Sequence, residues 1–500
     1  MADTRETAAA PPYQAGVLLA GLAAASVLAV LAGLSSELLL LAVLAGAAAV
    51  VLLPAAPWVS IIFFGAALGL RTPMNFHPLR AGGFRFYGGD VLLYLVGAAL
   101  LFTFVTAALG RRPALFSLER GERRVVVLLA ALTGWGVVSM ATGVMNGCEI
   151  KDILGDFRRF FIYSWALLPP LCLATRRRHL EGVKLALLGG CGVAFLFGLF
   201  RLVTGRYFYP NDEINIFPRL LADDEIVSLA LLLAYLTAFL LADRPRPLKL
   251  AALAFAAATA GLMCFSGWRM GIAQALLAPA LAVVLMARNR GRGIAGIILR
   301  LALVGVILLA GTAALFFALS DRVGHVMFMF QERLTAFGMP LVSDEDTRFY
   351  AYREALSRYA EHPVLGRGLG DQLSYPKKTT SGTFLRIQGT THNIFLDMLY
   401  QTGPVGLGLF LALHASFALH FLRRIRHVSR AHEPVTVGLV AGYLCTMAHY
   451  CYEPAWVSGM IVLYYAIGFS LVFLREEPKP GAAAEAADGA AAEAADGAAA

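Results

Sequence analysis

The sequence contains few charged residues for its size. Asp, Glu, Lys and Arg together make up 15% of the 500 residues, whereas a soluble globular chain carries roughly a quarter. Hydrophobic residues make up 58%, and the mean hydropathy is +0.68. This balance excludes an ordinary soluble protein. The apolar residues lie in blocks of about 20, which is the length that crosses the hydrocarbon core of a membrane.

The sequence also lacks paired cysteines and a basic soluble domain. Its six cysteines are scattered and none stands in a C-x-x-C motif, so a zinc or redox site has no support in the sequence. A disulfide between Cys148 and Cys451, which both fall in predicted outward segments, stays open. The net charge of +9 lies beside apolar runs, where it fits contact with membrane lipids and not with nucleic acid.

We predict an all-α polytopic membrane protein with about fourteen transmembrane helices. The first apolar run has no convincing cleavage site and is predicted to be a first span, not a signal peptide. The predicted spans lie near residues 14–33, 37–53, 57–70, 88–109, 125–143, 158–174, 182–203, 225–243, 248–265, 270–287, 294–319, 393–413, 435–450 and 455–474.

Arginine placement predicts the orientation of these spans. With this number of spans, the basic clusters all share one side with both termini, and the positive-inside rule makes that side the cytoplasm. The clusters are Arg111–Arg124, Arg176–Arg178, Arg244–Lys249, Arg288–Arg300 and Arg423–Arg430.

The chain divides into three parts. Residues 1–203 are predicted to form N-terminal transmembrane helices, and residues 204–475 a second transmembrane region. The tail at 476–500 repeats Ala, Glu, Asp and Gly and is predicted to be disordered in the cytoplasm. The second region contains an outward loop at 320–392 that is far longer than an ordinary connection. A long loop of this kind usually has a function.

Within the long loop, the stretch TRFYAYREALSRYAEHPVLGRGLG predicts a helix followed by a tight glycine turn. The helix is amphipathic, is expected on the outer membrane surface, and should end before Pro363. The glycines around Arg367 would let the backbone approach a ligand closely. The predicted apolar face of the helix is Phe349, Tyr352, Leu356 and Tyr359.

Two acidic residues precede this helix. Asp344 and Asp346 form a D-x-D pair, which many metal-using glycosyltransferases use to hold a metal ion. Acidic residues are also favoured at a helix N-terminus by the helix dipole. Because no further acidic cluster accompanies the pair in this loop, we favour the dipole interpretation and expect no metal site.

The stretch GTTHNIFLDMLYQTGPVGLGLF passes from polar loop to apolar span. Thr390 or Thr391 can cap the helix that begins near Asn393, which would place His392 in the first turn. The helix dipole would keep its imidazole neutral and able to accept a proton, and would attract a phosphate. A base beside a phosphate-bearing substrate fits this pattern. An interfacial histidine that hydrogen-bonds a carbonyl fits it as well.

Outward arginines form a second group of candidates. Arg269 stands in a short turn between two apolar runs, and Arg219 precedes a span. An arginine at membrane depth is costly and is usually paired or functional, although a helix-end arginine can also extend its charged group to water. A surface role for either residue stays open.

Three segments, in this order, resemble the O-antigen ligase family. SGWRMGIAQALLA is similar to the family's Ser-Arg-Gly segment at the start of a span, although Gly-Trp-Arg replaces Ser-Arg here. TRFYAYREALSRYAEHPVLGRGLG is similar to its loop helix and Pro-x-x-Gly-x-Gly turn, with Arg367 where an apolar residue is common. THNIFLDMLYQTGPVGLGLF is similar to its His-Asn signature. The resemblance covers 205–475.

The resemblance implies a GT-C-type membrane glycosyltransferase that uses no cofactor or metal. Such an enzyme transfers a glycan from an undecaprenyl diphosphate carrier to lipid A-core or another lipid or saccharide acceptor. It acts with inversion at the periplasmic face of the bacterial inner membrane. By its motifs, His392 would be the base, with Arg269 and Arg348 holding the diphosphate. The further substrate-binding residues would be Arg219, Asn393 and Arg367.

Two other functions would use the same features differently. A polysaccharide polymerase would take the same donor and use a growing carrier-linked chain as acceptor. A solute transporter should carry ionisable residues in mid-span and two repeated halves, whereas here these residues stand at the outer helix ends and in the long loop. We therefore expect transfer chemistry, and the sequence does not separate a ligase from a polymerase.

Overall fold

The computed structural model describes residues 56–69, 79–81, 84–86, 118–173, 177–204, 220–266, 269–291, 347–378, 384–453 and 457–475, with the single residues 296 and 305. These ranges are mostly helical. Their α-helices are α1 (Ala56–Gly69), α2 (Arg120–Met145), α3 (Ile150–Phe157), α4 (Leu168–Leu173), α5 (Arg177–Thr204), α6 (Asp223–Leu241), α7 (Arg246–Cys264), α8 (Arg269–Asn289), α9 (Thr347–Glu361), α10 (Ile394–Arg424), α11 (Glu433–His449) and α12 (Val457–Phe473).

Two short antiparallel hairpins accompany the helices, and the helical prediction did not include them. One pairs β1 (Leu79–Ala81) with β2 (Phe84–Phe86), and the other pairs β3 (Leu373–Lys378) with β4 (Phe384–Gly389). The second hairpin lies in the long loop, between α9 and the start of α10.

Within the described ranges, six helices are long and apolar enough to cross a membrane. The predicted spans at 14–33, 37–53, 88–109 and 294–319 and the tail at 476–500 lie outside these ranges, so the count of about fourteen spans stays a prediction. The six candidate spans are Arg120–Met145, His179–Thr204, Asp224–Leu241, Arg246–Cys264, Met270–Asn289 and Ile394–His427.

The predicted span at 158–174 is not one regular α-helix. A π-helical turn at Arg158–Ile162 leads into a 3-10 segment at Tyr163–Leu167 and then into α4. The first residues of α4 include Pro169 and Pro170, which have no N–H to donate back to the preceding turn. The Leu168 N–H instead donates to the carbonyl of Trp165, three residues earlier. Hydropathy finds the apolar segment but not this irregular winding.

Contacts between helix ends define two opposite ends of the bundle. At one, the Ile394 N–H at the start of α10 donates to the Tyr450 carbonyl just after α11, at 2.9 Å. His392 lies there, and we call it the His392 end. At the other, Arg475 Nε after α12 donates to Glu122 Oε1 near the start of α2, at 2.9 Å. We call this the opposite end.

Described arginines of the predicted inside clusters meet at the opposite end. Arg244 donates to the carbonyl of Ala431 at 3.2 Å, and Arg288 donates to the carbonyl of Leu422 at 3.4 Å. The described parts of the clusters at Arg244–Lys249, Arg288–Arg300 and Arg423–Arg430 thus lie at one end of the bundle, as arginine placement predicts. That this end meets the cytoplasm stays a prediction.

The centre of the bundle is the α6–α11 pair. In the most apolar stretch of α6, 83% of the residues are buried, whereas 33% are buried in the corresponding stretches of α2, α5 and α10. A Cβ at Gly438 of α11 would lie 2.8 Å from the Cα of Tyr235 on α6, so the glycine permits the close approach that is usual between membrane helices. Helices α8 and α12 pack on this pair, and α10 packs on α2.

The loop helix α9 forms where the sequence predicts it, and it buries two alanines against the protein. Ala351 and Ala355 are fully buried, whereas Leu356 is 50% exposed. Helix α9 packs on β3 and on the start of α10, and its location at the outer membrane surface stays a prediction. The small alanine side chains allow this close packing. The residues that cover them are Leu373, Tyr375 and Tyr400.

The glycine turn after α9 lies against protein backbone. Gly366 and Gly403 both have positive φ, of 72° and 69°, and Gly403 forms a kink in α10. A Cβ at Gly366 would lie 2.6 Å from the Gly403 nitrogen. The Arg367 N–H donates to the Tyr400 carbonyl at 2.7 Å. The predicted close approach therefore anchors the long loop on the kink of α10.

Candidate active site

The junction before α10 has Asn393 as the helix N-cap. Its Oδ1 accepts hydrogen bonds from the N–H groups of Phe395 (3.0 Å) and Leu396 (3.1 Å). Neither preceding threonine occupies the cap position, which corrects the prediction. His392 lies one residue before the cap and not in the first turn. Asparagine suits this position because its short side chain reaches the first unpaired N–H groups of the helix.

A fully buried carboxylate determines the role of the adjacent threonine. The N–H and the hydroxyl of Thr391 both donate to Asp397 Oδ1, at 2.9 and 2.7 Å, and the hydroxyl accepts from the Asn393 N–H at 3.1 Å. These bonds hold the backbone on both sides of His392. Among the described residues, His392 is the one non-glycine residue with positive φ, at 60°. Such a backbone persists only where its surroundings hold it.

Glu453 connects His392 with Arg348. Arg348 Nη2 donates to Glu453 Oε1 at 2.8 Å, and His392 Nδ1 lies 3.9 Å from the other carboxylate oxygen, Oε2. The Glu453 side chain is 6% exposed, whereas those of Arg348 and His392 are 32% and 31% exposed. One buried carboxylate therefore faces two side chains that are each partly open to solvent.

The surrounding positive groups keep Glu453 ionised. Burial by itself raises the pKa of its carboxyl group, but the adjacent His392 and the charges of Arg348 and His449 lower this pKa by more. The pKa of Glu453 therefore lies below its ordinary value, and the carboxylate is charged at neutral pH.

A second buried carboxylate, that of Asp156, joins three segments of the chain. Asp156 Oδ2 accepts hydrogen bonds from the Gly370 N–H and from Gln401 Nε2, both at 3.0 Å, and Asp156 Oδ1 lies 3.0 Å from Arg159 Nη2. Burial raises the pKa of Asp156, although Arg159 and the two hydrogen bonds oppose this. The carboxyl group ties the end of α3 to the glycine turn and to α10.

Arg367 has partners other than Glu453. Its Nη1 lies 2.7 Å from His362 Nε2, and its Nε lies 3.8 Å from Asp371 Oδ1. These contacts tie its side chain to the α9 loop and the turn that follows. The structure thus brings together Arg348, His392 and the neighbouring Asn393, and it binds Arg367 in a separate group.

Other predicted site residues fall on parts of the chain that the structure does not describe fully. Arg269 is the first residue of α8, but its side chain lies outside the described residues. Arg219 and the D-x-D pair, Asp344 and Asp346, lie outside them entirely. The roles of all these residues stay predictions.

Sequence reasoning missed Glu453. It stands in the short connection between the last two predicted spans, where an isolated acidic residue has the pattern of a surface charge. Its partner Arg348 is 105 positions away along the chain. The sequence does show that Glu453 is an acidic residue in a connection predicted to lie on the same side of the membrane as His392. Only the fold shows which groups it faces.

Cysteines and metal-ligand groups give two further results. All six cysteines are free, so the disulfide between Cys148 and Cys451 that the sequence leaves open is not formed. Across the ranges that the structure describes, no group of three or more His, Cys, Asp or Glu residues could hold a metal ion. Metal independence stays a prediction.

A comparison with protein families matches one part of the chain. The family described as O-antigen ligase matches residues 252–411. The resemblance to the O-antigen ligase family is confirmed there. The O-antigen ligase segment runs from α7 through α9 into α10, so it contains Arg348 and His392 and ends before Glu453. A comparison with curated proteins found no match. Together with the candidate spans, the O-antigen ligase match supports a multi-pass membrane protein of a glycan transferase or ligase family.

Proposed function

We propose that this protein transfers a glycan from an undecaprenyl diphosphate carrier to a hydroxyl group of lipid A-core or a similar lipid or saccharide acceptor. The reaction takes place at the periplasmic face of the bacterial inner membrane, at the His392 end. It proceeds with inversion and needs no metal ion. The O-antigen ligase match at residues 252–411 and the six candidate spans support this proposal.

His392 is the proposed base. A sugar hydroxyl is a poor nucleophile at neutral pH, so removal of its proton accelerates attack. With Nδ1 facing Glu453 at 3.9 Å, Nε2 is the nitrogen that takes the proton. The hydroxyl oxygen bonds to the anomeric carbon while the bond from that carbon to the diphosphate breaks. The diphosphate leaves with the electron pair, and this single displacement inverts the configuration.

Glu453 is proposed to position His392 and to stabilise its charged form. As the imidazole gains a proton, the attraction of the ionised carboxylate increases, and the buried setting of Glu453 strengthens that attraction. A neutral residue in its place would leave the imidazolium without this partner. Glu453 does not touch the substrate in this account and acts through His392 and Arg348.

Arg348 is proposed to hold the diphosphate. Its hydrogen bond to Glu453 at 2.8 Å fixes the guanidinium, and its 32% exposure leaves part of that group in reach of a ligand. A planar guanidinium binds two phosphate oxygens at once and stabilises the charge that develops on a leaving diphosphate. Arg269, at the start of α8, is proposed as a second diphosphate ligand. Asn393 and Arg367 stay proposed substrate contacts.

The observation that carries the proposal is that Glu453 faces both His392 and Arg348. A base and an anion-binding group must act on the two ends of one reacting bond, so they must be held in a fixed relation. One buried carboxylate hydrogen-bonds Arg348 and faces His392 at 3.9 Å here. The matched family supplies the class of reaction, and this contact supplies its chemistry.

Transfer by the purified protein tests the proposal. The full chain in nanodiscs would receive an undecaprenyl diphosphate glycan together with either lipid A-core or a second carrier-linked glycan. We expect release of undecaprenyl diphosphate matched by glycan on lipid A-core, and the same rate in excess chelator. Elongation of the carrier-linked glycan instead would identify a polymerase. Failure to transfer to either acceptor would contradict transfer chemistry and favour transport.

A further inference from the structure

The opposite end of the bundle contains a cavity that the proposed reaction does not use. Its volume is about 470 Å³, which lies within the usual range for small-ligand sites. It lies between the ends of α6, α8 and α10 and the start of α11, and six of its seven lining residues are polar or charged. The polar lining residues are Asp243, Asn289, Arg290, Arg426, Arg430 and Glu433.

One wall of this cavity is a closed ion pair. Arg290 donates to both oxygens of Glu433, at 2.7 Å from Nη2 and 3.2 Å from Nε, and to the Leu241 carbonyl at 3.0 Å. Asn289 Nδ2 also donates to Glu433, at 2.5 Å. The Glu433 side chain is 2% exposed. These bonds neutralise Glu433 and make this wall rigid, so it adds no net charge to the cavity.

The other charged residues leave the cavity positive. Arg426 and Arg430 are both exposed, and Arg430 Nη1 lies 3.8 Å from Asp243 Oδ2, which is too long for a hydrogen bond. Asp243 is itself 72% exposed. With the Arg290–Glu433 pair set aside, one net positive charge remains among these three residues. The guanidinium groups of Arg426 and Arg430 can turn toward a ligand at small cost because they are exposed.

We propose that this cavity binds the phosphate diester of an anionic phospholipid head group. A diester carries one negative charge, which matches the net charge of the cavity, and guanidinium groups bind phosphate oxygens in pairs. The cavity opens among the ends of candidate spans, where basic pockets take such head groups. The inference does not rest on the proposed transfer reaction.

The ligand of this cavity is not the glycan donor, because the cavity is too far from His392. The cavity lies at the C-terminal end of α10, and His392 lies before its first residue. Helix α10 has 31 residues with a kink at Gly403, and the part after the kink alone extends roughly 30 Å at a rise of about 1.5 Å per residue. A diphosphate in this cavity could not reach the proposed base.

Native mass spectrometry of the delipidated full-length protein, titrated with phosphatidylglycerol or phosphatidylcholine, tests the proposal. We expect tighter binding of phosphatidylglycerol. The double variant Arg426→Gln with Arg430→Gln should bind it about tenfold more weakly, since charge-assisted contacts are lost. A control with Arg246→Gln and Arg423→Gln removes two exposed charges at the same end, outside the cavity. It should change the affinity by less than about twofold.

Three results would overturn the proposal. The first is an unchanged affinity in the Arg426 and Arg430 double variant. The second is an equal loss in the control, which would indicate a diffuse positive surface. The third is displacement of the lipid by an equal concentration of glycerol phosphate or inorganic phosphate, which would identify a soluble phosphate as the ligand. If the double variant unfolds, Arg426→Gln alone is measured against Arg423→Gln alone, with a smaller loss of affinity expected.

Discussion

Both ends of the helical bundle bury carboxylates beside arginines, but the two ends use them differently. At the opposite end, Glu122 is fully buried and accepts from Arg475 through both oxygens, at 2.9 and 3.4 Å. At the His392 end, Glu453 accepts from Arg348 through one oxygen at 2.8 Å and has the other 3.9 Å from His392. Both oxygens of Glu122 are thus occupied by Arg475. In Glu453, one oxygen binds Arg348, and the other faces His392, which is the proposed base.

This difference separates contacts that hold helices together from contacts available for chemistry. Arg475 also donates to the Leu171 carbonyl at 2.9 Å, so its ion pair joins the ends of α12, α2 and α4. The partners of Glu453 come from a loop helix and from a junction with strained backbone. Removing a carboxylate should therefore reduce stability at the opposite end and transfer at the His392 end.

The largest effect on stability is expected for Glu122→Ala. Breaking a buried ion pair costs about 3–5 kcal/mol, and because Arg475 is 25% exposed we expect the lower part of that range. Unfolding in detergent would measure it. The control Glu181→Ala removes an exposed partner of Lys184 and should cost under about 1 kcal/mol. Equal losses in the two variants, or loss of transfer per folded Glu122→Ala molecule, would contradict the comparison.

Glu453→Gln should reduce transfer by about 10- to 100-fold, since a lost charged hydrogen-bond partner is worth about 1.5–3 kcal/mol. Turnover of purified protein would measure this. The matched control is Glu149→Gln, whose parent residue is 67% exposed and pairs with Lys151. The control should keep its turnover. A Glu453→Gln enzyme as active as the control would remove Glu453 from the mechanism.

The pH dependence of stability tests whether Glu453 is ionised in the folded protein. Because the pKa of Glu453 is lowered from 4.5, its contribution to folding is complete above that value and is lost as the pH falls below it. Wild-type protein should therefore lose thermal stability on acidification more steeply than Glu453→Gln. Thermal midpoints measured from neutral pH to below 4.5 would check this, and parallel curves would contradict the assignment.

A smaller effect is expected for Arg348→Lys. Lysine keeps the charge but loses the planar pair of donors, so transfer should fall about tenfold at unchanged expression. The control is Arg353→Lys, an exposed arginine on the same helix, which should turn over normally. Normal turnover of Arg348→Lys would mean that the diphosphate needs only a positive charge there.

Sequence alone predicts most of the described helices because a long apolar run in a membrane has few structures other than a helix. It does not predict the hairpin of β3 and β4, whose strands contain Pro376 and three charged residues (Lys377, Lys378 and Arg386). It also does not predict that α9 buries Ala351 and Ala355 against the protein. Ala351 and Ala355 lie inward because the long loop packs on them, and that packing is set by distant segments.

The candidate site shows the same limit in smaller detail. His392 stands at a boundary between polar and apolar sequence, so local chemistry finds it. The same local sequence contains several residues that could cap α10, namely Thr390, Thr391 and Asn393, and sequence alone does not show which of them is the cap. Asp397, inside the helix, takes the N–H and hydroxyl of Thr391, and Asn393 then caps the helix. Glu453 reaches the site only because α11 ends beside the start of α10.

Substitution of His392 by glutamine separates its proposed role as the base from a role as a hydrogen-bonding residue. Glutamine keeps a hydrogen-bonding side chain but does not accept a proton at neutral pH. Single-turnover transfer by purified wild-type, His392→Gln and His392→Ala proteins would be measured with saturating donor, along with donor binding. We expect a loss of ~10²–10⁴-fold in both variants with donor affinity near that of the wild type. Transfer by His392→Gln at close to the wild-type rate would contradict the role of His392 as the base.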